Sequence, residues 1–417
     1  MLFIRELLFL LLLKNLMNNP YSSRSIDPSL ITKVRTNSES KVSAIVYHDK
    51  RIPSCHIEKC ICRFPEVKIK HHLPLINAVA VEMPASFIKK IALLDEVKYL
   101  SDDAKVFIHM DNARETIKET RLINSKYTGK SVGIAIIDTG VASHPDLVKP
   151  NNRIIAFKDF VNNKRYPYDD NGHGTHVAGC IAGNGYSSQG KYAGVAPEAS
   201  IIAVKVLDQD GSGDTSNVLA AIQWVVDNKS KYNIKILNLS LGNQANSSYS
   251  PLDKAAIAAW ERGITVIAAA GNEGPKKYTI SSPGICPDII TVGALDDRNT
   301  PSTRDDIIAN FSSRGPTKRG AVKPDIVAPG VDIISLAVPG QNDSELYKSL
   351  SGTSMAAPVV SGCAALIHQM YPRYTNNQVK ELLMSSADDL GFPPYAQGKG
   401  LINLEKIFGR LQGGEEN

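Results

Sequence analysis

"VGIAIIDTG", residues 132–140, is an apolar run that ends on an acid, a threonine and a glycine. A strand with one face in water alternates polar and apolar residues. This one does not, which marks a strand buried on both faces inside a parallel sheet with helices packed outside it. Four further runs of the same kind follow: "IIAVKVLD" from 201, "IKILNLSLG" from 234, "ITVIAAAGN" from 264 and "IITVGALD" from 289. Between them lie longer helical segments, "SNVLAAIQWVVDNKSKY" from 216 and "PLDKAAIAAWERG" from 251. The alternation predicts an α/β domain with a mostly parallel sheet. Ligands in that architecture bind at the carboxyl ends of the strands. Asp138, Ser240 and Asn272 each stand near such an end, so they converge at one mouth.

The second decisive stretch is "SGTSMAAP", residues 351–358, which opens an apolar helical run. Ser and Thr commonly cap helices, and capping alone would explain these hydroxyls. Pro358 also removes the backbone donor that would have served the carbonyl of Ser354. A helix start, however, offers free N–H groups and partial positive charge to a developing anion. "DDNGHGTHVAGC", from 169, sets His173 between glycines just before another helix. Taken singly, Asp138 is turn chemistry and His173 a helix-start residue. Taken together, Asp138 can orient His173, His173 can accept the proton of Ser354, and Ser354 can attack a carbonyl carbon. Asn272 can pair its amide with the Ser354 backbone N–H to hold an oxyanion.

"DTGVASHPDL", "HGTHVAG", "LNLSLG", "AAAGNEGP" and "GTSMAAP", in that order, resemble the subtilisin family of serine proteases, over about residues 115–410. The chain order Asp, His, Ser is that family's; trypsin-like enzymes and α/β-hydrolases use other orders. "YDDNGHGTH" and "FSSRGPT" bring the pattern nearest to the intracellular alkaline protease branch. The resemblance implies a subtilisin-like three-layer domain over residues 112–411, followed by a short tail at 412–417. It implies a triad of Asp138, His173 and Ser354, with Asn272 as oxyanion donor. It makes Ser240, Leu241 and Gly242 the edge where an extended peptide adds as a strand. The S1 pocket would be walled by that edge and by Ala270 and Gly271, with Ser281 of "YTISSPG" at its floor. Small residues and no buried acid there predict large apolar or aromatic P1 side chains, with Glu273 at the rim.

Residues 41–111 read as strand, helix, two strands, helix, strand, the βαββαβ order of a ferredoxin-like fold. By resemblance this small α+β domain is a propeptide, an inhibitor and folding assistant, and so the chain's own partner. Its last segment, "VKYLSDDAKVFI" from 97, reads as one strand running into the active-site groove. Residues 1–40 read as leader and linker. Residues 7–13 form a Leu-rich run like a signal-peptide core, but Glu6 precedes it and no small-residue cleavage site follows. It is too short to span a membrane. Cys55, Cys60 and Cys62 fall early and Cys180, Cys286 and Cys363 late, an odd number in each part. That favours a reducing, cytoplasmic setting, with secretion as the alternative.

The net charge of +5 lies mostly before residue 112, with no basic stripe interleaved with aromatics, which argues against nucleic acid as a partner. "GYSSQGKY", from 185, approaches a phosphate-binding loop, but Tyr192 replaces the magnesium-binding hydroxyl and a helix, not a strand, precedes it. "CHIEKCIC", from 55, with His71 and His72 nearby, has metal-ligand residue types without a standard zinc spacing, and core cysteines are the simpler reading. Asp146 of "HPDL" matches a calcium-ligand position of the family. The loop that should complete the site, "NGYSSQGKY" from 184, offers few oxygen ligands. Calcium is thus an optional structural ion, and the chemistry requires no cofactor.

Overall fold

The computed structural model describes residues 26–36, 40–108, 127–244, 250–298, 300, 304–340 and 345–412. The chain divides into two compact units, Met1–Ala104 and Lys105–Asn417. Residues 1–25 of the expected leader and linker, and the tail from 413, lie outside the described residues. Pro28–Thr36 is not linker but a helix whose Leu30 is buried in the core of the first unit. No helix among the described residues is long and apolar enough to cross a membrane.

The first unit opens with α1 (Pro28–Thr36). It then builds β1 (Lys41–His48), α2 (Ser54–Ile61), β2 (Lys68–Leu73), β3 (Ala78–Pro84), α3 (Ile88–Ala92) and β4 (Val97–Asp102). Its antiparallel sheet runs β2-β3-β1-β4, as the βαββαβ reading requires. Period-two alternation puts Val42, Ala44 and Val46 of β1 beside Val79, Val81 and Met83 of β3 in one apolar cluster. Ile57, Ile61, Ile88 and Ile91 of the two helices close that cluster.

In the second unit, β5 (Lys105–Ile108), β9 (Ser212–Asp214) and β11 (Leu241–Gly242) form a small sheet of their own. The large sheet holds β6 (Gly133–Asp138), β7 (Ile154–Asp159), β8 (Ser200–Lys205), β10 (Ile234–Leu239), β12 (Thr265–Ala269), β13 (Ile290–Asp296), β14 (Ile307–Ile308) and β15 (Ile326–Pro329). Its order is β14-β13-β12-β10-β6-β8-β7, with β15 also paired to β13. Every pairing is parallel except that of β14 with β13. All six residues of β6 are buried, as its unbroken apolar run predicts. The helices that matter for the site are α4 (His173–Ala182), α5 (Thr215–Asp227), α6 (Pro251–Glu261) and α7 (Thr353–Met370). α7 packs against α4, β10, β12 and β13, which brings its first turn to the carboxyl ends of those strands.

The structure departs from the sequence reading at the junction. "VKYLSDDAKVFI" is two strands, and the unit boundary falls between them, ahead of the expected boundary at 111. β5 belongs to the second unit because its backbone groups pair with edges of that unit. Residues 109–126 lie outside the described ones.

Two buried histidines make the folded chain acid-sensitive. Burial lowers His176 from 6.5 to about 3 and His368 from 6.5 to about 4. The unfolded imidazoles take up protons near pH 6.5 while the folded ones do not, so stability falls as pH drops from 6.5 toward 4. For each histidine the slope is about 1.4 kcal/mol per pH unit. In urea titrations of a Ser354→Ala chain, His368→Gln should flatten the loss by about one proton between pH 6 and 4.5. A slope identical to the parent's would remove His368 from this account.

Candidate active site

Asp138 is the last residue of β6 and is fully buried. Its Oδ1 accepts from the Thr139 N–H at 2.7 Å and lies 2.7 Å from His173 Nδ1. An ionised carboxylate only accepts, so Nδ1 carries the proton and Nε2 is left as the acceptor. His173 opens α4 after Gly172, whose φ of 98° few side chains tolerate. A Cβ on Gly174 would meet the Gly140 carbonyl at 2.1 Å, so this glycine is what lets the helix start approach the Asp138 turn.

Two groups that the sequence reading passed over hold this corner. Asp169 is buried; its Oδ1 accepts from Thr139 Oγ1, Asn171 N and Gly172 N, and its Oδ2 from Thr175 N and Oγ1. It thereby ties the Asp138 turn to the start of the His173 helix. Lys205, fully buried at the end of β8, donates to Thr139 O, Leu207 O and Asp170 Oδ1 at 2.6–2.7 Å. A lysine inside "IIAVKVLD" and an acid pair before "NGHG" were the signals available.

Asn272 follows β12. Its Oδ1 accepts from Thr353 N at 3.0 Å and from Thr353 Oγ1 at 2.9 Å, and Thr353 Oγ1 accepts in turn from Gly271 N. These bonds fix the amide with its oxygen occupied. Its Nδ2 is buried and has no hydrogen-bond partner, and the same holds for His173 Nε2.

Ser354 is the second residue of α7, where a backbone N–H has no partner within the helix. Its Oγ donates to the Ser240 carbonyl at 2.9 Å, and Ser240 Oγ donates to the Ser354 carbonyl at 2.9 Å. Pro358 explains the second bond: the acceptor it leaves unserved takes the Ser240 hydroxyl instead. The hydroxyl proton of Ser354 has one acceptor at a time, so it is not on His173. Asn238 Nδ2 supports Ser240 Oγ at 3.0 Å, and Asn238 Oδ1 accepts from Ser361 of α7 at 2.8 Å.

The edge beyond Ser240 is already paired. Leu241 and Gly242 of β11 lie antiparallel to Ile108 and Phe107 of β5. On its other side β5 pairs with β9, Phe107 against Ser212, Val106 against Gly213 and Lys105 against Asp214. Beside this edge, Ala270 O accepts from Ser281 N at 2.9 Å, and a Cβ on Gly271 would meet Ser281 Oγ at 2.3 Å. Ala270, Gly271 and Ser281 are buried together, while Glu273 is exposed.

Asp146 sits apart, buried in the turn Pro145–Val148. Its Oδ1 accepts from Ser187 N at 2.9 Å and its Oδ2 from the Tyr347 hydroxyl at 2.8 Å, with His144 beside it. Hydrogen donors thus face the carboxylate where calcium would need further oxygens, so the residues around Asp146 do not fit that ion. All six cysteines are free thiols.

A family model described as the subtilase family, Peptidase_S8, matches residues 129–403. "Serine protease AprX" of Bacillus subtilis (strain 168) is 44% identical over 366 residues, covering 81% of this chain and 80% of that protein. Subtilisin E of the same organism is 37% identical over 347 residues, covering 81% and 82%. Among solved structures, fervidolysin from Fervidobacterium pennivorans, titled a keratinolytic enzyme related to subtilisin, superposes with a TM-score of 0.69 at 25% identity. That alignment covers 89% of this chain and 61% of the fervidolysin chain. The parallel sheet, the order of the site residues and these likenesses agree, and the chain belongs to the subtilase family of serine peptidases.

Proposed function

We propose that this protein is a serine endopeptidase whose nucleophile is Ser354, with His173 as general base, Asp138 as its orienting partner and Asn272 as oxyanion donor. The supporting observation is the pair of buried, unpartnered atoms, His173 Nε2 and Asn272 Nδ2. Leaving such a group unpaired costs about 1–3 kcal/mol, and on this reading both are kept for a transient partner. Asn272 is bonded to Thr353, the neighbour of Ser354, and His173 opens α4, which packs on α7. In the reaction the Ser354 hydroxyl leaves the Ser240 carbonyl and gives its proton to Nε2 as Oγ bonds to the substrate carbonyl carbon. The oxygen that becomes negative takes Asn272 Nδ2–H and the Ser354 N–H. His173 then protonates the leaving amine, and water repeats the sequence on the acyl-enzyme. The small, uncharged set Ala270, Gly271 and Ser281 favours apolar or aromatic P1 residues, with discrimination of about 1–3 kcal/mol between related side chains.

The first unit is read as a propeptide that inhibits and is then cut away. β5 supports this, since it occupies both substrate-pairing edges as an extended antiparallel segment. Of the two residues on β11, Ile108 lies nearer Ser240. The cut is therefore assigned at or just beyond Ile108, inside residues 107–112. The free thiols favour a cytoplasmic setting over secretion.

In peptide hydrolysis assays, Ser354→Ala and His173→Ala should each lower kcat by about 10⁶, a figure measured on subtilisin itself and borrowed here as a family value. Asn272→Leu should lower kcat by about 10² to 10³, again subtilisin's own range, with little change in KM. Near-normal turnover by pure Ser354→Ala protein would reject the assignment, and a loss confined to KM would reject the role of Asn272. Asp169→Asn should reduce kcat without altering P1 preference, because it positions the His173 turn and touches no substrate; a changed P1 preference would contradict that. For processing, wild-type protein should gain a new N-terminus near residue 109 at a rate independent of its concentration, while Ser354→Ala stays full length. The same terminus arising in pure Ser354→Ala protein would refute autoprocessing.

A further inference from the structure

The first unit contains a group of ligands that the peptidase chemistry does not use. His56 and Cys60 are four residues apart on α2, so they lie on one face of the helix. Glu96, in the turn before β4, reaches that face. Its Oε1 is 3.3 Å from His56 Nε2 and 3.3 Å from Cys60 Sγ, and the three ligand atoms all lie within 4.8 Å of one another. We propose that His56, Cys60 and Glu96 form a zinc-type cation site that pins α2 to the turn leading into β4.

The donor set and the spacing support this. Zinc takes imidazole nitrogen and carboxylate oxygen at about 2.0–2.2 Å and thiolate sulfur at about 2.3 Å in a tetrahedron, which sets ligand atoms about 3.3–3.7 Å apart. The two measured separations fall at that edge length before any ion binds. Three protein ligands leave the fourth position to water. Cys60 is buried and His56 is exposed, so sulfur is held within the fold while the ion enters from solvent. On binding, the Cys60 thiol gives its proton to solvent and sulfur bonds the metal as thiolate. The hydrogen bond from Cys60 to Glu96 and the contact of His56 with Glu96 are replaced by bonds to the ion. His72 takes no part, being engaged with Glu58 Oε1 at 2.7 Å. The sequence reading missed the cluster because Glu96 lies far along the chain and His-x-x-x-Cys alone is not a zinc spacing.

The test uses full-length Ser354→Ala protein, stripped with a chelator and titrated with Co²⁺ as the probe. One equivalent should give tetrahedral d–d bands and a thiolate-to-cobalt band in the near ultraviolet, both bleached by Zn²⁺. Cys60→Ser should abolish the near-ultraviolet band. His56→Ala and Glu96→Gln, at accessible positions, should each weaken binding at least about tenfold while the far-ultraviolet circular dichroism stays unchanged. The proposal is overturned if the thiolate band persists in Cys60→Ser, which would assign it to another of the free cysteines. It is equally overturned if saturation brings no thiolate band, or if His56→Ala and Glu96→Gln bind as tightly as the parent. Should Cys60→Ser fail to fold, the latter two variants decide. The outcome does not depend on peptidase activity.

Discussion

Two serines each donate a hydroxyl hydrogen bond to the other's backbone carbonyl, Ser240 to Ser354 and Ser354 to Ser240, and this reciprocal pair joins the start of α7 to the end of β10. Pro358 makes it necessary. A proline inside a helix deletes the donor for the carbonyl four residues back, and in a buried helix that carbonyl must find another. Ser240 supplies it, and Asn238 and Ser361 brace the arrangement from below. The consequence is functional. The residue proposed as nucleophile is fixed in register with β11, the edge on which β5 pairs, with no loop between the two.

The rest of the site follows the same economy of buried polar groups. Asp138, Asp169, Thr175, Lys205 and Thr353 are all buried, and each polar atom named for them above, in Thr353, Asp169 and Lys205 alike, is hydrogen-bonded. Against that background His173 Nε2 and Asn272 Nδ2 are unpartnered, as is Asp138 Oδ2. Buried hydrogen-bonded networks make a site rigid, and rigidity keeps such unsatisfied atoms from relaxing toward each other or toward solvent. Donors aimed in advance at where charge develops need no reorganisation during the reaction.

Much of this was legible in the sequence because burial on both faces leaves a plain signal. The unbroken apolar strands marked the parallel sheet, and its topology put Asp138, Ser240 and Asn272 at one end. β7 escaped because it is the edge strand of the sheet, and "IIAFKD" mixes exposed and buried residues as an edge does. β15 escaped because four residues ending in proline read as a loop. Asp169 and Lys205 were not picked out as positioning groups, since most of their partners are backbone atoms, which no sequence pattern displays, and the fold alone brings the others, Thr139, Thr175 and Asp170, to them. The resting place of the Ser354 hydroxyl was unreadable for a related reason: its acceptor is the main-chain carbonyl of Ser240. The divided strand at residues 97–108 shows the limit of periodicity, which reports that a segment is extended but not which sheet it joins.

The central claim is that Ser354 is activated by His173 and acts as nucleophile. Treating protein that is hydrolysing casein with an active-site serine phosphonate, then mapping the adduct by mass spectrometry, tests it most directly. The account requires a single adduct on the peptide containing Ser354, formed with loss of activity and absent in His173→Ala protein. An adduct at another residue, or full inactivation with Ser354 unmodified, would contradict it.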